Sequence, residues 1–453
     1  MSSRSRRIAA VALKHGWRGA FEARFGFASP HRRRSAFARQ TRLAFEELGP
    51  AFIKLGQLMS VRPDLFPPEI VFEMERLQDS VPAVPTSEIR RVIVREFGRT
   101  PEELFETFDD TPLASASIAQ VHRATLAHEA RPVLGPPLPA GSEVAVKVVR
   151  PGAEAAILAD ITEARRLVSR IANWRRLRRL NLPGFLDEFA QSLCSEVDLR
   201  NEALVAGRYA FDFADDPLVI VPRVVWSRTT RSVMTSEYVH GWRLTDLDDA
   251  DRAGVKAYDL AVHGADVFMK QVLVIGRFHA DLHPANLLVT PDSRICYLDF
   301  GIVGRTSPSE RFAIAQVLAA TVYGDADRAL TYSAQLGLVV PPDKQAEVRA
   351  AVASLLHETM GGSGKPADVK AFALGFMSML ADHDIRIPIG YGLLIKALVT
   401  VEGVARGIYP DIDITQAAKP FATRLIAQRM LQPGMLYARI PDAARAAIRV
   451  LAG

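Results

Sequence analysis

Cysteine is nearly absent from this chain, which has only Cys194 and Cys296 in 453 residues. Two thiols cannot build the disulfide framework of a small secreted domain, and both lie in segments whose pattern predicts burial, so we expect reduced packing residues. The chain has no run of roughly 18 apolar residues, which a membrane-spanning helix needs. A secretory signal is not visible either. These absences favour a cytoplasmic protein.

A large net charge is missing too, since 56 basic and 51 acidic residues leave only +5, with a sequence pI of about 9.2. Hydrophobic residues make up 49% and charged residues 24%, which is typical of globular chains, and the length exceeds one ordinary core. We therefore expect two lobes and no internal repeat.

The basic residues are unevenly spread, because Glu22 is the sole acid among the arginines and lysines that precede Phe45. Apolar residues between them give an amphipathic face, which favours peripheral contact with anionic membrane lipid. A second basic run, residues 165–179, contains Trp174. The alternative is that both are solvated faces. No nucleic-acid-binding module is recognisable, so nucleic acid is not an expected partner.

The most informative segment runs from His279 to Asn286 and is followed by Asp299-Phe300-Gly301. This spacing predicts a phosphoryl-transfer site, in which Asp281 accepts the proton of an attacking hydroxyl group. Asn286 and Asp299 are then the expected ligands of Mg²⁺ bound to the phosphates of ATP.

Apolar runs at 287–289 and 295–298, separated by turn residues, predict a hairpin that brings both metal ligands to one edge. The alternative is a zinc pair at His279 and His283. Prolines at 284 and 291 argue against a long helix through that pair, and no glutamate follows His279 as a water-activating base.

Lys147 lies in the alternating segment 143–149, which matches the Val-Ala-x-Lys strand whose lysine contacts the α and β phosphates. A lone lysine in an apolar strand is usually only an edge residue, but its position upstream of Asp281 favours the functional reading. Two acids compete as its partner: Glu163, sixteen residues further on, and the more distant Glu202.

The glycine-rich phosphate loop of ordinary protein kinases is absent. An alanine-rich stretch, residues 112–124, takes its place, and alanine does not readily adopt positive φ, so this loop is expected to be stiffer than a glycine loop. Backbone groups of the hinge, Glu237 and Val239, are expected at the adenine. The expected loop contacts to the nucleotide are Ala114, Ser115, Ala116, Ser117, Ile118 and Ala119.

With these features the chain resembles the UbiB-type atypical kinases, the kinase-like proteins of ubiquinone biosynthesis, from about residue 49 to 413. Lys54-Leu55-Gly56-Gln57 looks like their Lys-x-Gly-Gln motif, and Glu196-Val197-Asp198 like their Glu-x-Asp signature. The resemblance implies an Mg-ATP-binding ATPase or phosphotransferase that supports isoprenoid quinone biosynthesis. It also implies partners among quinone-biosynthesis proteins or lipid intermediates.

The resemblance further implies that Glu202 is the partner of Lys147. Glu196 and Asp198 are then left to meet Lys54, so that the extension gates the site where a protein substrate would enter. The expected gating residues are Lys54, Gly56, Gln57, Glu196 and Asp198. Ala280 replaces the arginine that commonly precedes the catalytic aspartate, and no Ala-Pro-Glu motif follows, so a peptide-binding groove is not expected.

The expected fold is α+β, a two-lobed protein-kinase-like fold with a small antiparallel sheet. We expect a basic segment (1–45), a helical extension (46–100), an N-lobe with inserted helices (101–240) and a helical C-lobe (241–453). The sheet is expected to contain strands at 118–126, 143–150, 218–226 and 232–238. The alternatives are a small-molecule kinase of the aminoglycoside-phosphotransferase type and a non-catalytic, nucleotide-gated scaffold.

Overall fold

The computed structural model divides the chain into two units, of which unit 1 comprises residues 1–243 and 285–301, and unit 2 comprises residues 244–284 and 302–453. The residues that the structure describes are 6–8, 10–11, 13–17, 30–60, 62, 66–74, 76–77, 81–171, 182–244, 246–247, 254–280, 282–301, 303–360, 367–383, 385–413 and 423.

Three helices of unit 1 form the extension: α1 (Pro30–Leu48), α2 (Pro50–Ser60) and α3 (Pro68–Met74). Each begins at a proline, whose fixed φ suits the first helical position, where no intrahelical N–H bond is lost. Gly49 joins the first two with φ 103°, a conformation that favours glycine. Their shared core consists of Ala38, Ile53, Met59, Ile70, Met74 and Leu77.

The main sheet of unit 1 is antiparallel, with strand order β1-β2-β3-β5. Its strands are β1 (Phe105–Ser115), β2 (Ala119–Leu126), β3 (Glu143–Val149) and β5 (Val233–Glu237). Sequence reasoning missed β1, because Pro112 and several register shifts interrupt its alternation.

In β3 the valines at 144, 146 and 148 are fully buried, while Lys147 points to the opposite face. The buried valines pack with Ile89 and Ile93 of α4 (Thr86–Phe97). A short helix, α5 (Pro101–Leu104), leads from α4 into β1. The hydrophobic side of the sheet is thus covered, and the face with Lys147 is left for the site.

The expectation that 218–226 is a strand of this sheet holds only near its end, where Val224 forms an isolated antiparallel bridge with Ser236 of β5. Only Val219–Ile220, strand β4, is a regular strand there, and it pairs in parallel with β9 (Ile295–Tyr297) of a second sheet. Pro217 and Pro222 bracket it, and proline cannot donate to a strand ladder, which explains its shortness. The second sheet has the order β4-β9-β8-β6, with β6 (Trp242–Arg243), β8 (Leu287–Val289) and β9 (Ile295–Tyr297).

Three helices lie between β3 and β4, as expected: α6 (Ala153–Ile171), α7 (Leu182–Val197) and α8 (Leu199–Asp212). Residues 172–181, which include Trp174 and part of the second basic run, lie outside the described residues. Of the two cysteines, Cys296 in β9 is buried, and burial raises its thiol pKa. The expectation of burial is wrong for Cys194, which is exposed on α7.

Unit 2 is mainly helical. Its α9 (Ala257–Met269) continues into a π-helix (Lys270–Ile275), and β7 (Arg277–His279) then pairs with β10 (Val303–Arg305). The remaining helices are α10 (Pro308–Val322), α11 (Ala326–Gln335), α12 (Gln345–Thr359), α13 (Val369–Asp382) and α14 (Ile389–Ile408). Within the described ranges, none of the helices has the length and apolar character needed to cross a membrane.

Candidate nucleotide site

The ammonium group of Lys147 lies 2.7 Å from both carboxylate oxygens of Glu202, so β3 and α8 are joined by a two-oxygen ion pair. Both side chains are largely buried, with 26% and 12% of their surfaces exposed. Glu163 lies elsewhere and pairs with Arg166 on its own helix at 3.3 Å. Of the two acids that spacing leaves open, the structure therefore brings Glu202 to the lysine.

Asp299 acts electrostatically on this pair. Burial alone opposes the charge of Lys147, but the negative charges of Glu202 and Asp299 outweigh it and hold the pKa of Lys147 above its usual value. Burial raises the pKa of Glu202 against the pull of the lysine. One cation among two carboxylates leaves this group of three side chains with excess negative charge, which a divalent metal would compensate.

The break between α7 and α8 orients Glu202. Asp198 stands at the N-cap of α8, where its carboxylate accepts a hydrogen bond from the Arg200 amide at 3.1 Å. Further along the helix the ring of Tyr209 packs against that of Phe300, with centroids 5.1 Å apart. The helix that carries Glu202 is therefore attached to the Asp-Phe-Gly segment by a buried aromatic contact.

The hairpin predicted for the metal ligands is confirmed, since β8 and β9 pair antiparallel with Leu287 opposite Tyr297. Asn286 precedes the first strand, and its carbonyl accepts from the Leu298 amide at 2.9 Å, so Asn286 and Asp299 lie at the same end. The Gly301 amide donates to Oδ1 of Asp299 at 2.8 Å and orients that carboxylate. Its oxygens and the Asn286 amide oxygen are the hard donors that Mg²⁺ prefers.

Asp281 lies outside the described residues, so its role rests on sequence. The residues just before it belong to unit 2 and are firmly held: His279 and Ala280 are buried, and the His279 amide donates to the side chain of the fully buried Gln271 at 2.9 Å. His283, by contrast, is exposed. Among the described residues, no group of three His, Cys, Asp or Glu side chains is arranged to hold a metal ion.

The alanine-rich stretch forms the tight connection between β1 and β2. Its turn is closed by a hydrogen bond from the Ala116 amide to the Ala119 carbonyl at 2.9 Å. Ala114 and Ser115 lie at the end of β1, and Ala119 lies at the start of β2. Ser117 and Ile118, between the two strands, are buried. Within the described part of the chain, the buried Ser115 hydroxyl oxygen has no hydrogen-bond partner.

The hinge follows β5. The Glu237 amide donates to the Arg223 carbonyl at 2.9 Å, and the Glu237 carboxylate forms a bidentate pair with the Arg223 guanidinium at 2.7 and 2.8 Å. Tyr238 donates its amide to the Glu143 carbonyl at 3.1 Å. Val239 has neither its amide nor its carbonyl bonded to any described residue, so both remain available to an adenine edge.

The Lys-x-Gly-Gln motif lies on α2. Lys54 pairs with Glu196 at 3.1 Å, and both side chains are mostly shielded from solvent. Gly56 faces the extension's core, where a Cβ atom would come within 2.1 Å of Leu77. Gln57 follows on the same helix, and its carbonyl accepts from the Ser60 hydroxyl at 2.7 Å.

One expected gating contact is wrong. Asp198 does not meet Lys54, because its carboxylate forms a bidentate pair with Arg200, at 2.9 and 2.5 Å, and caps α8. The family resemblance implied that contact, but Asp198 is the N-cap of α8, where its side chain turns to the first turn of the helix. Electrostatic and hydrogen-bond contact with Arg200 lowers the pKa of Asp198.

Sequence reasoning missed Arg150, Gln120 and Arg223, which fix the loop and the hinge. Arg150 stands directly after β3, and its guanidinium donates to two backbone carbonyls, those of Ala116 and Pro82, at 3.1 and 2.9 Å. For Gln120, the sequence offered one signal, which was a polar residue within a buried strand. Its side-chain amide is fully buried and must therefore find hydrogen-bond partners.

Comparison with known proteins identifies the same architecture. Residues 76–333 match the ABC1 atypical kinase-like domain, and residues 357–413 match the UbiB helical domain. A protein of Marinobacter nauticus named "Probable protein kinase UbiB" is 33% identical over 400 residues, covering 87% of this chain and 71% of that protein. An Arabidopsis thaliana chloroplast protein named "ACTIVITY OF BC1 COMPLEX KINASE 3" is 32% identical, and the chain spans 53% of its length.

Among solved structures, the Mycobacterium tuberculosis protein Rv3197 in its complex with erythromycin superposes with a TM-score of 0.53. At 24% identity, with 83% of this chain and 93% of that chain covered, the likeness concerns the fold. The expected α+β, kinase-like fold is confirmed. With the ABC1 domain covering more than half of the sequence, this chain belongs to the UbiB-type family of ABC1 atypical kinase-like proteins.

Proposed function

We propose that this protein binds Mg-ATP and transfers or hydrolyses its terminal phosphoryl group in support of isoprenoid quinone biosynthesis. The observation that carries the proposal is the Lys147–Glu202 ion pair in the field of Asp299, because this arrangement places one cation for phosphates beside a carboxylate for the metal. An aminoglycoside-type small-molecule kinase is less well supported, since both matched domains belong to the ABC1 and UbiB type.

The residues fit the nucleotide part by part. The Val239 backbone offers a donor and an acceptor to adenine, the Ser115 hydroxyl is a buried donor without a partner among the described residues, and Lys147 supplies positive charge for the phosphates. Bound magnesium would neutralise charge that develops on the transferred phosphoryl group, held by Asn286 and Asp299. Asp281 would accept the acceptor's proton.

The extension is proposed to restrict which acceptor reaches the site. Lys54 is a long cation held by Glu196, which lies at the end of α7, only six residues before Glu202 in sequence. The charge of Lys54 also acts against that of Lys147, so the extension is electrostatically linked to the phosphate lysine. Breaking the Lys54–Glu196 pair should therefore change both nucleotide preference and access.

Lys54→Ala and Glu196→Gln should each permit phosphorylation of the protein itself by γ-labelled ATP, and Ala116→Gly should do so by loosening the loop. We expect label incorporation to rise severalfold over the parent. Label incorporation and phosphate release are measured together, and Asp281→Asn added to any variant should abolish both.

Two controls sharpen this test. Lys54→Arg keeps the charge and should behave as the parent, and Asp198→Asn should not raise labelling, because Asp198 pairs with Arg200. Equal labelling in the parent and all variants would refute the gate. Nucleotide binding without phosphate release or transfer in any of them would instead support the scaffold alternative.

A membrane-facing surface is proposed for the N-terminal residues. Residues 13–17 are helical, and Val11 and His15 are buried, with His15 bonded to Gln40 and Glu47 of α1 at 2.9 and 3.0 Å. Leu13 and Trp17, about half a turn away, are 75% and 78% exposed. An exposed leucine and tryptophan beside basic residues suit the lipid interface.

Leu13→Ser combined with Trp17→Ser should weaken sedimentation with vesicles of phosphatidylcholine and phosphatidylserine by more than about tenfold, since burying such side chains is worth about 1.5 to 3 kcal/mol each. Tyr323→Ser, at an equally exposed aromatic residue, is the control.

Replacing Arg32, Arg33 and Arg34 with glutamine should flatten the salt dependence of vesicle binding, because each basic residue near an anionic surface is worth about 1 kcal/mol. Unchanged binding by all these variants would refute the surface.

A further inference from the structure

Residues 81–84, which we call the linker, connect the extension to α4 and run beside the alanine-rich loop. The Val81 amide donates to the Ser115 carbonyl at 3.2 Å. Val84 exchanges two hydrogen bonds with the Gln120 side chain: its amide donates to Oε1 at 2.9 Å, and its carbonyl accepts from Nε2 at 3.4 Å. Both ends of the linker are thus attached to the hairpin that carries the loop.

Arg150 makes the third attachment and reaches the loop and the linker together. Its amide donates to the Ile118 carbonyl at 2.8 Å, Nη1 donates to the Ala116 carbonyl at 3.1 Å, and Nη2 donates to the Pro82 carbonyl at 2.9 Å. The guanidinium is a rigid planar fork, so its two bonds cannot be adjusted independently. A displacement of Ala116 must therefore move Pro82 or break a charge-assisted hydrogen bond.

The attachment at Gln120 is buried and fixed in orientation. Because Oε1 accepts from Val84, Nε2 is the donor to His122 Nε2 at 2.9 Å, and His122 Nδ1 then donates to the Asp109 carbonyl at 2.8 Å. Burial lowers the pKa of His122, which agrees with this neutral ring. The linker is consequently held to the buried part of the sheet, and the Arg150 guanidinium joins its Pro82 to the Ala116 turn of the loop.

We propose that Arg150 is a positioning residue for the nucleotide, which sets the alanine-rich loop through Ala116 and transmits loop position to the extension through Pro82. The inference rests on the proposed nucleotide site and adds a route by which the bound nucleotide acts on the extension. Unlike Lys54, Arg150 has no counterpart among the gating motifs, and its role follows from its three backbone carbonyl contacts.

The test uses the full chain with Arg150→Gln, Arg150→Lys and the control Arg131→Gln, whose arginine is 84% exposed and pairs with a neighbouring glutamate. Hydrogen exchange is followed without nucleotide at the amides of residues 116–119, 81, 83 and 84. The Kd values for Mg-ATP and Mg-ADP are measured by titration. Thermal unfolding confirms that each variant is folded.

Arg150→Gln should accelerate exchange in both segments and change the ratio of the two Kd values by at least about fivefold, within the usual range of coupling. Arg150→Lys, whose ammonium lacks the fixed planar fork that joins the two carbonyls, should have an intermediate effect, and Arg131→Gln none. Faster exchange in the loop alone, or equally faster exchange throughout β3, would overturn the inference. If the parent binds neither nucleotide, the proposed function fails, while the exchange data still decide the coupling.

Discussion

Asp299→Asn should abolish most Mg-ATP binding while leaving the fold intact. The substitution keeps the shape and the acceptor for the Gly301 amide but removes the charge that we propose holds the metal. Mutating a residue that only hydrogen-bonds to a metal ligand typically lowers metal affinity by about 10 to 100-fold. For a direct ligand we therefore expect the affinity for Mg-ATP to fall by at least about 100-fold.

Thermal stabilisation by nucleotide measures this loss. Mg-ATP at 100 times the parent's Kd should stabilise the parent by about 2.7 kcal/mol, and a variant that binds about 100-fold more weakly by only about 0.4 kcal/mol. Asp292→Asn is the matched control, because Asp292 lies in the turn at the other end of the same hairpin, bonded to Thr290 at 2.6 Å. Equal stabilisation of parent and Asp299→Asn would exclude Asp299 as a metal ligand.

Lys147→Met should destabilise the folded protein as well as remove nucleotide binding. The substitution leaves Glu202 buried without its cation and beside the like charge of Asp299. Loss of one partner of a buried pair costs about 3 to 5 kcal/mol. The pKa of Lys147 is raised in the folded protein. The charged lysine therefore stabilises the fold fully below the ordinary lysine pKa, and this stabilisation is lost only as the pH rises through the higher folded-state pKa. Measurements at neutral pH thus report a charged lysine.

A double-mutant cycle with Glu202→Gln isolates the pair. We expect a coupling energy of about 0.5 to 3 kcal/mol in denaturant unfolding, because the second substitution removes the stranded charge. Lys147→Met with Glu163→Gln should be additive within about 0.5 kcal/mol. Coupling to Glu163 instead of Glu202 would contradict the contact at 2.7 Å.

Those parts of the site that depend on short-range order could be predicted from the residues alone. Alternation placed Lys147 on the open face of a strand whose valines are buried, and two apolar runs around a turn placed Asn286 and Asp299 at one end of a hairpin. Such patterns can be read locally, because period-two burial and turn chemistry act between near neighbours. The family motifs added Lys54 and Glu196, which the structure joins.

Which distant groups meet depends on how the helices and strands pack. The choice between Glu163 and Glu202 depends on where α8 packs, and the helix break at Asp198 removed that residue from the gate by pairing it with Arg200. The role of Arg150 could not be read from its neighbours, since its partners are backbone carbonyls that any residue could supply. Backbone contacts of this kind leave no trace in residue type, so they are decided by the path of the chain in space.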